Sequence, residues 1–184
     1  MYEVELKVEI TAEEKERVIT NLKNSGFVEK DYVAQIDCYV EAEKSPHGGY
    51  NLKRYRNEDG KIFYTQKTWE LENGELARKE EERESSQVEF DEGLKKSSHP
   101  ITIKKDRQSF DGSYKDTKIH IDMDTIKFGH SPDMRYFIET EIITAQKEEV
   151  KNIREFIREF LKKLLEKSEL IEAPGMFTMA FEKK

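Results

Sequence analysis

Apolar and charged positions alternate at the start of the chain, over residues 2–8. The even-numbered positions are apolar, and the odd-numbered ones place Glu3, Glu5 and Lys7 on the opposite face. Because successive side chains of a strand point to opposite faces, this stretch is predicted to be a β-strand. A strand of this kind commonly has one solvated face, so its meaning depends on whether later strands carry matching charged rows.

Similar alternation continues along most of the chain. It predicts seven further strands, at 32–41, 49–57, 61–70, 75–84, 100–110, 114–125 and 134–143. Asn57-Glu58-Asp59-Gly60 and Glu72-Asn73-Gly74 are turn signals that favour a meander of hairpins, and Asp111-Gly112 predicts another tight turn. Eight strands joined mostly by hairpins predict a closed or nearly closed antiparallel β-barrel.

Two segments carry a helical period instead. Thr11 and Glu14 have capping-box spacing and Gly26 provides a stop, which predicts a short amphipathic helix over 11–25. Apolar residues at helical spacing over 146–168 predict a long amphipathic helix packed on an apolar surface.

The remaining segments are less regular. Residues 85–98 are predicted to hold a short helix or a loop, Pro174-Gly175 to end the long helix, and 176–184 to be a tail. The predicted fold class is α+β, an eight-stranded antiparallel barrel with flanking helices outside and a long C-terminal amphipathic helix. The chain is predicted to form one domain over 1–184, because no linker divides it.

Composition and charge narrow the class of protein. Charged residues make up 39% of the 184 residues, and the net charge of −7 argues against non-specific binding of nucleic acid. The single Cys38 fits a reducing compartment. No apolar run reaches membrane-spanning length, so the prediction is a soluble cytoplasmic protein with no nucleic-acid or membrane partner.

The predicted strands also carry charged rows at alternate positions. These rows are Arg54 and Arg56; Lys67; Arg78 with Glu80 and Glu82; Lys105 and Arg107; Asp122 and Asp124; and Glu139 and Glu141. A few such pairs are expected by chance in so charged a chain, but nearly every strand offers both an apolar and a charged face. In a barrel with helices packed outside, the charged faces point inward.

An interior lined by charge predicts a charged ligand, because burying such groups is costly without one. Lys and Arg form charge-assisted hydrogen bonds with phosphate. Carboxylates in the same cavity would repel phosphate unless hard divalent cations lay between them, and Mg²⁺ or Mn²⁺ take oxygen ligands. The combination favours a metal–polyphosphate as the ligand.

The ordered set of motifs resembles one family. Glu3-x-Glu5-x-Lys7 resembles the ExExK signature of the CYTH superfamily, the triphosphate tunnel metalloenzymes, which include class IV adenylyl cyclases, thiamine triphosphatases and inorganic triphosphatases. The resemblance continues in order over 1–143, through Gln35-x-Asp37-x-Tyr39, Arg54-x-Arg56, Thr65-x-Lys67, Arg78-x-Glu80, Lys105-x-Arg107, the strand 118–124 and Glu139-x-Glu141. The family fold is an eight-stranded antiparallel barrel that forms a tunnel.

The resemblance implies a role for each group of charged residues. The side chains expected to bind the triphosphate are Lys7, Arg54, Arg56, Lys67, Lys105 and Arg107, with Arg78 and Glu80 as further wall residues. Those expected to bind one or two Mg²⁺ or Mn²⁺ ions are Glu3, Glu5, Asp124, Glu139 and Glu141, with Asp122 as a second candidate beside Asp124. Glu5 and Lys7 are the expected catalytic residues.

Several functions remain open at this point. The leading expectation is a metal-dependent phosphohydrolase acting on inorganic tripolyphosphate or a nucleoside triphosphate. The alternatives are a class IV adenylyl cyclase that forms cyclic AMP and pyrophosphate, a non-catalytic module that binds polyphosphate or nucleotide, and a barrel scaffold whose partner binds the 146–168 helix. The expected partner is a triphosphate-containing small molecule, and the expected state is a monomer or a homodimer.

Overall fold

The computed structural model describes residues 2–46, 49–72, 75–98, 100–128 and 131–181. Its strands are β1 (Tyr2–Ile10), β2 (Val28–Lys44), β3 (Tyr50–Glu58), β4 (Lys61–Glu72), β5 (Glu75–Ser85), β6 (Ile101–Tyr114), β7 (Thr117–Phe128) and β8 (Met134–Thr144). Its helices are α1 (Ala12–Asn24), α2 (Gln87–Lys96), α3 (Val150–Leu165), which follows a 3₁₀ turn at Lys147–Glu149, and α4 (Met176–Phe181).

The strands form one antiparallel sheet, which confirms the predicted α+β class and the number of strands. Their hydrogen-bonded order is β1-β8-β7-β6-β2-β3-β4-β5. Since β1 and β5 end this order, backbone pairing between described residues does not close the sheet into a complete barrel. None of the helices in the described part of the chain has the length and apolarity needed to cross a bilayer.

The chain divides into two compact units. Unit 1 comprises residues 1–32, 106–126 and 134–174, and unit 2 comprises 33–105, 127–133 and 175–184. Unit 1 therefore holds β1, β8, α1, α3 and most of β7, whereas unit 2 holds β3, β4, β5, α2 and α4. Strands β2 and β6 contribute residues to both.

The core of unit 1 explains the alternation seen at the start of the chain. The apolar face of β1, which includes the fully buried Leu6, packs in one cluster with Val18 and Leu22 of α1 and Leu161 of α3. The rings of Phe27 and Phe160 stack with centroids 6.0 Å apart in the same cluster. The apolar strand faces thus lie against helices, as predicted, which leaves the charged face of β1 on the opposite side.

Helix α1 begins and ends as its sequence signals predict. Thr11 Oγ1 accepts a hydrogen bond from the Glu14 backbone N–H at 3.1 Å, and Glu14 Oε2 accepts one from the Thr11 N–H at 2.9 Å. This capping box satisfies two donors that the first helical turn leaves unpaired. Gly26 follows the helix with φ +83°, a backbone conformation that favours glycine.

The structure corrects the turn predicted at Asp111-Gly112. Both residues lie inside β6, and the hairpin turns instead at Lys115 and Asp116, which have φ values of +48° and +64°. A Cβ atom at position 112 would lie 2.3 Å from the Phe27 ring, so glycine is needed there for close packing. The turn at 57–60 is confirmed, while residues 73 and 74 of the Glu72-Asn73-Gly74 signal lie outside the described residues.

Other boundaries differ from the predictions. Strand β2 begins at Val28 rather than 32, because the charged run 29–31 hides its alternation. The helix predicted over 146–168 ends at Leu165, where Glu166 adopts a left-handed conformation with φ +56°. Pro174-Gly175 therefore does not end that helix. The predicted tail contains α4, and its last three residues, 182–184, lie outside the described residues.

In unit 2, α2 packs on one face of β3. A Cβ atom on Gly93 would lie 2.5 Å from the Tyr55 ring, so this glycine lets the helix approach the strand closely. The Tyr55 ring also meets Phe90 edge to face at 5.6 Å. Tyr55 alternates with Arg54 and Arg56 along the strand, so α2 covers the face opposite these basic residues.

Candidate functional site

The structure gathers most of the predicted site residues into one charged cluster in each unit. The acidic cluster of unit 1 consists of Glu5, Asp122, Asp124, Glu139 and Glu141 with Lys7 and Arg107. The basic cluster of unit 2 consists of Arg54, Arg56, Lys67 and Lys105 with Asp37, Glu80 and Glu82.

In the acidic cluster, the pairing of β1 with β8 sets which charges face each other. Lys7 lies opposite Glu139, and the Lys7 Nζ to Glu139 Oε1 distance is 3.1 Å. Burial disfavours the charged ammonium, but the carboxylates around it, chiefly Glu139, prevail and raise the pKa of Lys7. Lys7, whose side chain is 13% exposed, is therefore a half-buried cation.

Arg107 lies among three carboxylates of the acidic cluster. Its Nε and Nη2 atoms donate to the two oxygens of Asp124, each at 2.8 Å, and Nη2 also donates to Glu139 Oε2 at 3.0 Å. Its Nη1 pairs with Asp122. Burial opposes the charge, but these acids, with Asp124 first, raise the pKa of Arg107 well above its ordinary value. The fully buried Asp124 is thereby compensated by a two-pronged guanidinium contact.

Asp122 belongs to a second hydrogen-bond chain, which includes His120. Ser109 Oγ donates to Asp122 Oδ1 at 2.6 Å, and His120 Nε2 lies 3.2 Å from the same oxygen. His120 Nδ1 lies 2.7 Å from Asp111 Oδ1, so both ring nitrogens face carboxylates and the ring is protonated. The hydrogen bond with Asp122 raises the pKa of His120 to about 9, against partial burial and with Asp111 adding to it.

Glu5 and Glu141 form a facing pair of carboxylates in the acidic cluster. They lie directly opposite each other on β1 and β8, which places like charges side by side. Burial raises the pKa of Glu141, and repulsion from Asp122, Glu139 and Glu5 adds to this, while His120 opposes it. Glu3 lies further along the strand, at an exposed position opposite Ile143.

The donor atoms of the acidic cluster suit a hard divalent ion. All are carboxylate oxygens, the ligand type that Mg²⁺ and Mn²⁺ prefer. Over the described ranges, however, no three His, Cys, Asp or Glu side chains already form a metal-holding group. The carboxylates converge on Arg107 instead, and the facing pair Glu5 and Glu141 is the part of the cluster that fits a cation best.

The basic cluster of unit 2 is organised around one buried acid, Asp37. Arg56 donates from Nε to Asp37 Oδ1 at 2.7 Å and from Nη2 to Oδ2 at 3.3 Å, and Arg54 Nη1 lies 3.5 Å from Oδ2. Burial opposes ionisation, but Arg54, Lys105 and Arg56 hold the pKa of Asp37 well below its usual range. Asp37 is thus an ionised carboxylate surrounded by three cations.

Strands β4 and β5 complete the surroundings of Arg54. Its Nη2 donates to Thr65 Oγ1 at 2.9 Å, and Thr65 in turn donates to Glu82 Oε2 at 2.9 Å. Lys67 Nζ lies 2.7 Å from Glu80 Oε2. Within the described part of the chain, the buried Nε of Arg54 has no hydrogen-bond acceptor. An anion would supply one.

The residues predicted from the sequence and those found in the two charged clusters overlap only in part. The side chain of Arg78 lies outside the described side chains. Three contributing residues were not among the predicted ligands: Asp37, Glu82 and His120. Glu82 and His120 each share a strand face with predicted site residues, whereas Asp37 lies on β2, where no ligand was predicted. Strand alternation alone does not reveal which partners these residues contact.

Unit 2 also contains a cavity of about 690 Å³, which is lined by residues other than those of the basic cluster. Lys53, Tyr55, Tyr64, Glu89 and Phe177 are among the residues that line it, and none of the predicted site residues with described side chains does. Lys53 and Tyr55 alternate with Arg54 and Arg56 on β3, so this part of the cavity lies on the opposite face of the strand.

Comparisons with known proteins agree with the fold and with the motifs. The family model for the CYTH domain matches residues 1–173, and the chain belongs to this family. No curated protein matches the chain.

Three solved structures share the fold at low identity. The PH1819 protein from Pyrococcus horikoshii OT3 is 22% identical with a TM-score of 0.69, and all of both chains is covered. HpAC1 from Hippeastrum, a candidate adenylyl cyclase with a dominant triphosphatase activity, is 16% identical with a TM-score of 0.64, covering 99% of this chain and 96% of that one. A candidate adenylate cyclase from Vibrio parahaemolyticus is 15% identical with a TM-score of 0.64, covering 99% and 98%.

Proposed function

We propose that the chain is a divalent-metal-dependent phosphohydrolase that cleaves a triphosphate, either inorganic tripolyphosphate or a nucleoside triphosphate. The observation that carries this proposal is the facing pair Glu5 and Glu141 beside the half-buried cation Lys7. A pair of acids held together in this way is unfavourable for stability alone, and a Mg²⁺ or Mn²⁺ ion offsets its repulsion.

The acidic cluster serves to hold the metal. Glu5 and Glu141 are the central ligands in this proposal, with Glu139, Asp122 and Asp124 as additional carboxylates and Glu3 at the exposed end of the strand. When bound, the metal neutralises phosphate oxygens and lowers the pKa of a coordinated water. Glu5 orients the attacking water, and Lys7 stabilises the negative charge that develops on the phosphate oxygens.

The basic cluster serves to hold the phosphates. The buried Arg54 supports this role most directly. Its Nε finds no acceptor among the described residues, and a buried donor without an acceptor is costly. Arg56, Lys67 and Lys105 supply further charge-assisted hydrogen bonds, and Arg78 and Arg107 are additional candidates. Phosphoryl transfer depends mainly on such positioning and charge stabilisation.

The proposal is tested by following products directly with phosphorus NMR. The purified full chain is incubated with tripolyphosphate or ATP in Mg²⁺ or Mn²⁺. The expected products are orthophosphate with pyrophosphate from tripolyphosphate, or orthophosphate with ADP from ATP. Replacement of Lys7 by Met is expected to slow turnover by at least about 100-fold, since it removes one charge-stabilising group. Lys53→Met, on the opposite face of β3, serves as the control and should leave the rate within about two-fold.

Other products would replace the proposal with one of the alternatives. Cyclic AMP and pyrophosphate from ATP would identify an adenylyl cyclase. Tight binding of tripolyphosphate with no turnover in either metal would identify a binding module. Equal rates for wild type and Lys7→Met would show that Lys7 does not take part in catalysis.

The location in the cytoplasm stays a prediction from the sequence.

A further inference from the structure

Asp37 differs from the other acids near the basic cluster in its burial and its contacts. Its side chain is only 4% exposed, whereas Glu80 and Glu82 are 27% and 44% exposed. It accepts two hydrogen bonds from Arg56 and lies 3.5 Å from Arg54 Nη1. It is therefore the buried anion at the base of two arginines that are proposed to bind phosphate.

The contacts with Asp37 set the orientation of the Arg56 guanidinium group as well as balancing its charge. A guanidinium group is planar, so two hydrogen bonds from one edge to a single carboxylate set the plane in which the whole group lies. Arg56 is held in this way by the two oxygens of Asp37. The pairing of β2 with β3 places Asp37 directly opposite Arg56, which makes the contact short and rigid.

The charge of Asp37 has two opposing effects: it stabilises the basic cluster, and it weakens the binding of an anion by that cluster. Arg54, Arg56 and Lys105 repel one another, and the buried carboxylate offsets this repulsion. The same negative charge also weakens the attraction of the cluster for an anion. A residue with these two effects lowers the affinity for a triphosphate while it improves the alignment of that triphosphate for reaction.

We propose that Asp37 is a positioning residue that acts through Arg54 and Arg56 and does not itself touch the substrate. This inference rests on the proposed function, in which these arginines hold the phosphates. It predicts that neutralising Asp37 separates affinity from turnover, because binding needs the positive charge whereas catalysis needs the direction of the guanidinium groups.

The test compares wild type with Asp37→Asn, which keeps the shape of the side chain and removes its charge. Binding of tripolyphosphate in EDTA is measured by calorimetry, and kcat is measured with Mn²⁺. Affinity is expected to rise by about three-fold, the effect of removing one partly screened like charge. The value of kcat is expected to fall by at least about ten-fold, because the arginines lose their fixed direction.

Glu41→Gln is the matched control. Glu41 lies on β2 opposite Lys53 on β3, with Lys53 Nζ 2.7 Å from Glu41 Oε2, but this pair is solvent-exposed and lies on the other face of β3. Both affinity and kcat should equal the wild-type values. If Asp37→Asn does not fold, Asp37→Glu takes its place, since it keeps the charge but displaces the two-pronged contact. That variant should bind with wild-type affinity and still lose kcat.

Three results would overturn the inference. The first is an unchanged kcat in Asp37→Asn, and the second is a parallel loss of affinity and kcat by the same factor, which indicates a merely structural role. The third, where Asp37→Glu is used, is a wild-type kcat. Failure of the proposed function is distinguishable, because a wild-type protein that neither binds nor cleaves tripolyphosphate rejects that function whatever the variants do.

Discussion

Two ion-pair centres among the described residues have opposite composition. In unit 1 the cation Arg107 contacts Asp122, Asp124 and Glu139, whereas in unit 2 the anion Asp37 is surrounded by basic side chains. Burying a charge is costly unless it is closely paired, and removing one partner leaves the other uncompensated. The contacts that give each cluster its chemistry therefore also contribute to keeping the native state intact.

The protonated His120 makes the free energy of unfolding depend on pH, and the direction of that dependence follows from the shift in its pKa. Its pKa is raised to about 9, mainly by the hydrogen bond with Asp122, above a value of about 6.5 in the unfolded chain. A raised pKa adds stability that is fully present below pH 6.5 and is lost as the pH rises through 9. Since the side chain is 40% exposed, screening reduces this contribution to about 1 kcal/mol.

Urea unfolding in EDTA at pH 6 and pH 10 measures this contribution. Wild type should exceed His120→Gln in free energy of unfolding at pH 6, and the difference should shrink by about 1 kcal/mol at pH 10. A difference that stays constant between the two pH values would mean that His120 is not held as a cation by Asp122 and Asp111.

Strand alternation predicted the faces of individual residues well, but not their partners. Lys7 and Glu5 were placed correctly on a charged face, because parity needs only the sequence of one strand. That Lys7 meets Glu139, while Glu3 meets Ile143, depends on the register between β1 and β8. Register is set by packing and by turns far along the chain, so Asp37 and His120 were not recognised as site residues.

At the scale of elements, the amphipathic pattern predicted helices and strands but misplaced one turn. The pair Asp111-Gly112 has the composition of a hairpin turn, yet β6 continues through it. The reason is a contact between elements, since the Phe27 ring occupies the space that a side chain at 112 would need. Local propensity cannot report such a contact, whereas the capping box of α1 is wholly local and was predicted correctly.

Two glycines should therefore respond differently to substitution. Gly112→Ala should lower the free energy of unfolding by about 2 kcal/mol through overpacking against Phe27. At Gly26 φ is +83°, and no atom of the described residues lies within 4 Å of the place that a Cβ would occupy. Gly26→Ala should therefore cost about 1 kcal/mol through backbone strain alone.

A double-mutant cycle separates the two causes. Replacing Phe27 by Leu should relieve much of the Gly112→Ala penalty, because it removes the clash, and should leave the Gly26→Ala penalty unchanged. Chemical denaturation provides the free energies. If Gly112→Ala proves as stable as wild type, the close approach of Phe27 does not determine the residue at this position.

The free edge of β1 is partly covered by the segment that follows α3. Glu172 forms a bridge with Val8, and the Ala173 N–H donates to the Lys7 carbonyl at 2.8 Å. Arg154 of α3 pairs with Glu172. Satisfying backbone groups at an edge limits pairing with other chains, and here it also supports the strand that carries Glu5 and Lys7.

At the scale of the whole molecule, the fold class followed from the sequence because nearly every strand has one apolar and one charged face. The family model over residues 1–173 and the structural neighbours agree with that prediction. Closure of the sheet did not follow, since pairing between first and last strands depends on twist and length rather than on alternation. Substrate and metal did not follow from the strand pattern, because one fold can carry sites for different reactions.

The proposed chemistry depends above all on the binding of a divalent metal by the acidic cluster through Glu5 and Glu141. Its most direct test is a titration of Mn²⁺ followed by electron paramagnetic resonance, with wild type, Glu141→Gln and Glu9→Gln. Glu9 is the matched control, because it lies on β1 but pairs with Arg135. We expect Glu141→Gln to weaken Mn²⁺ binding by at least about ten-fold and Glu9→Gln to match wild type. Equal Mn²⁺ affinity in wild type and Glu141→Gln would contradict this assignment of the metal site.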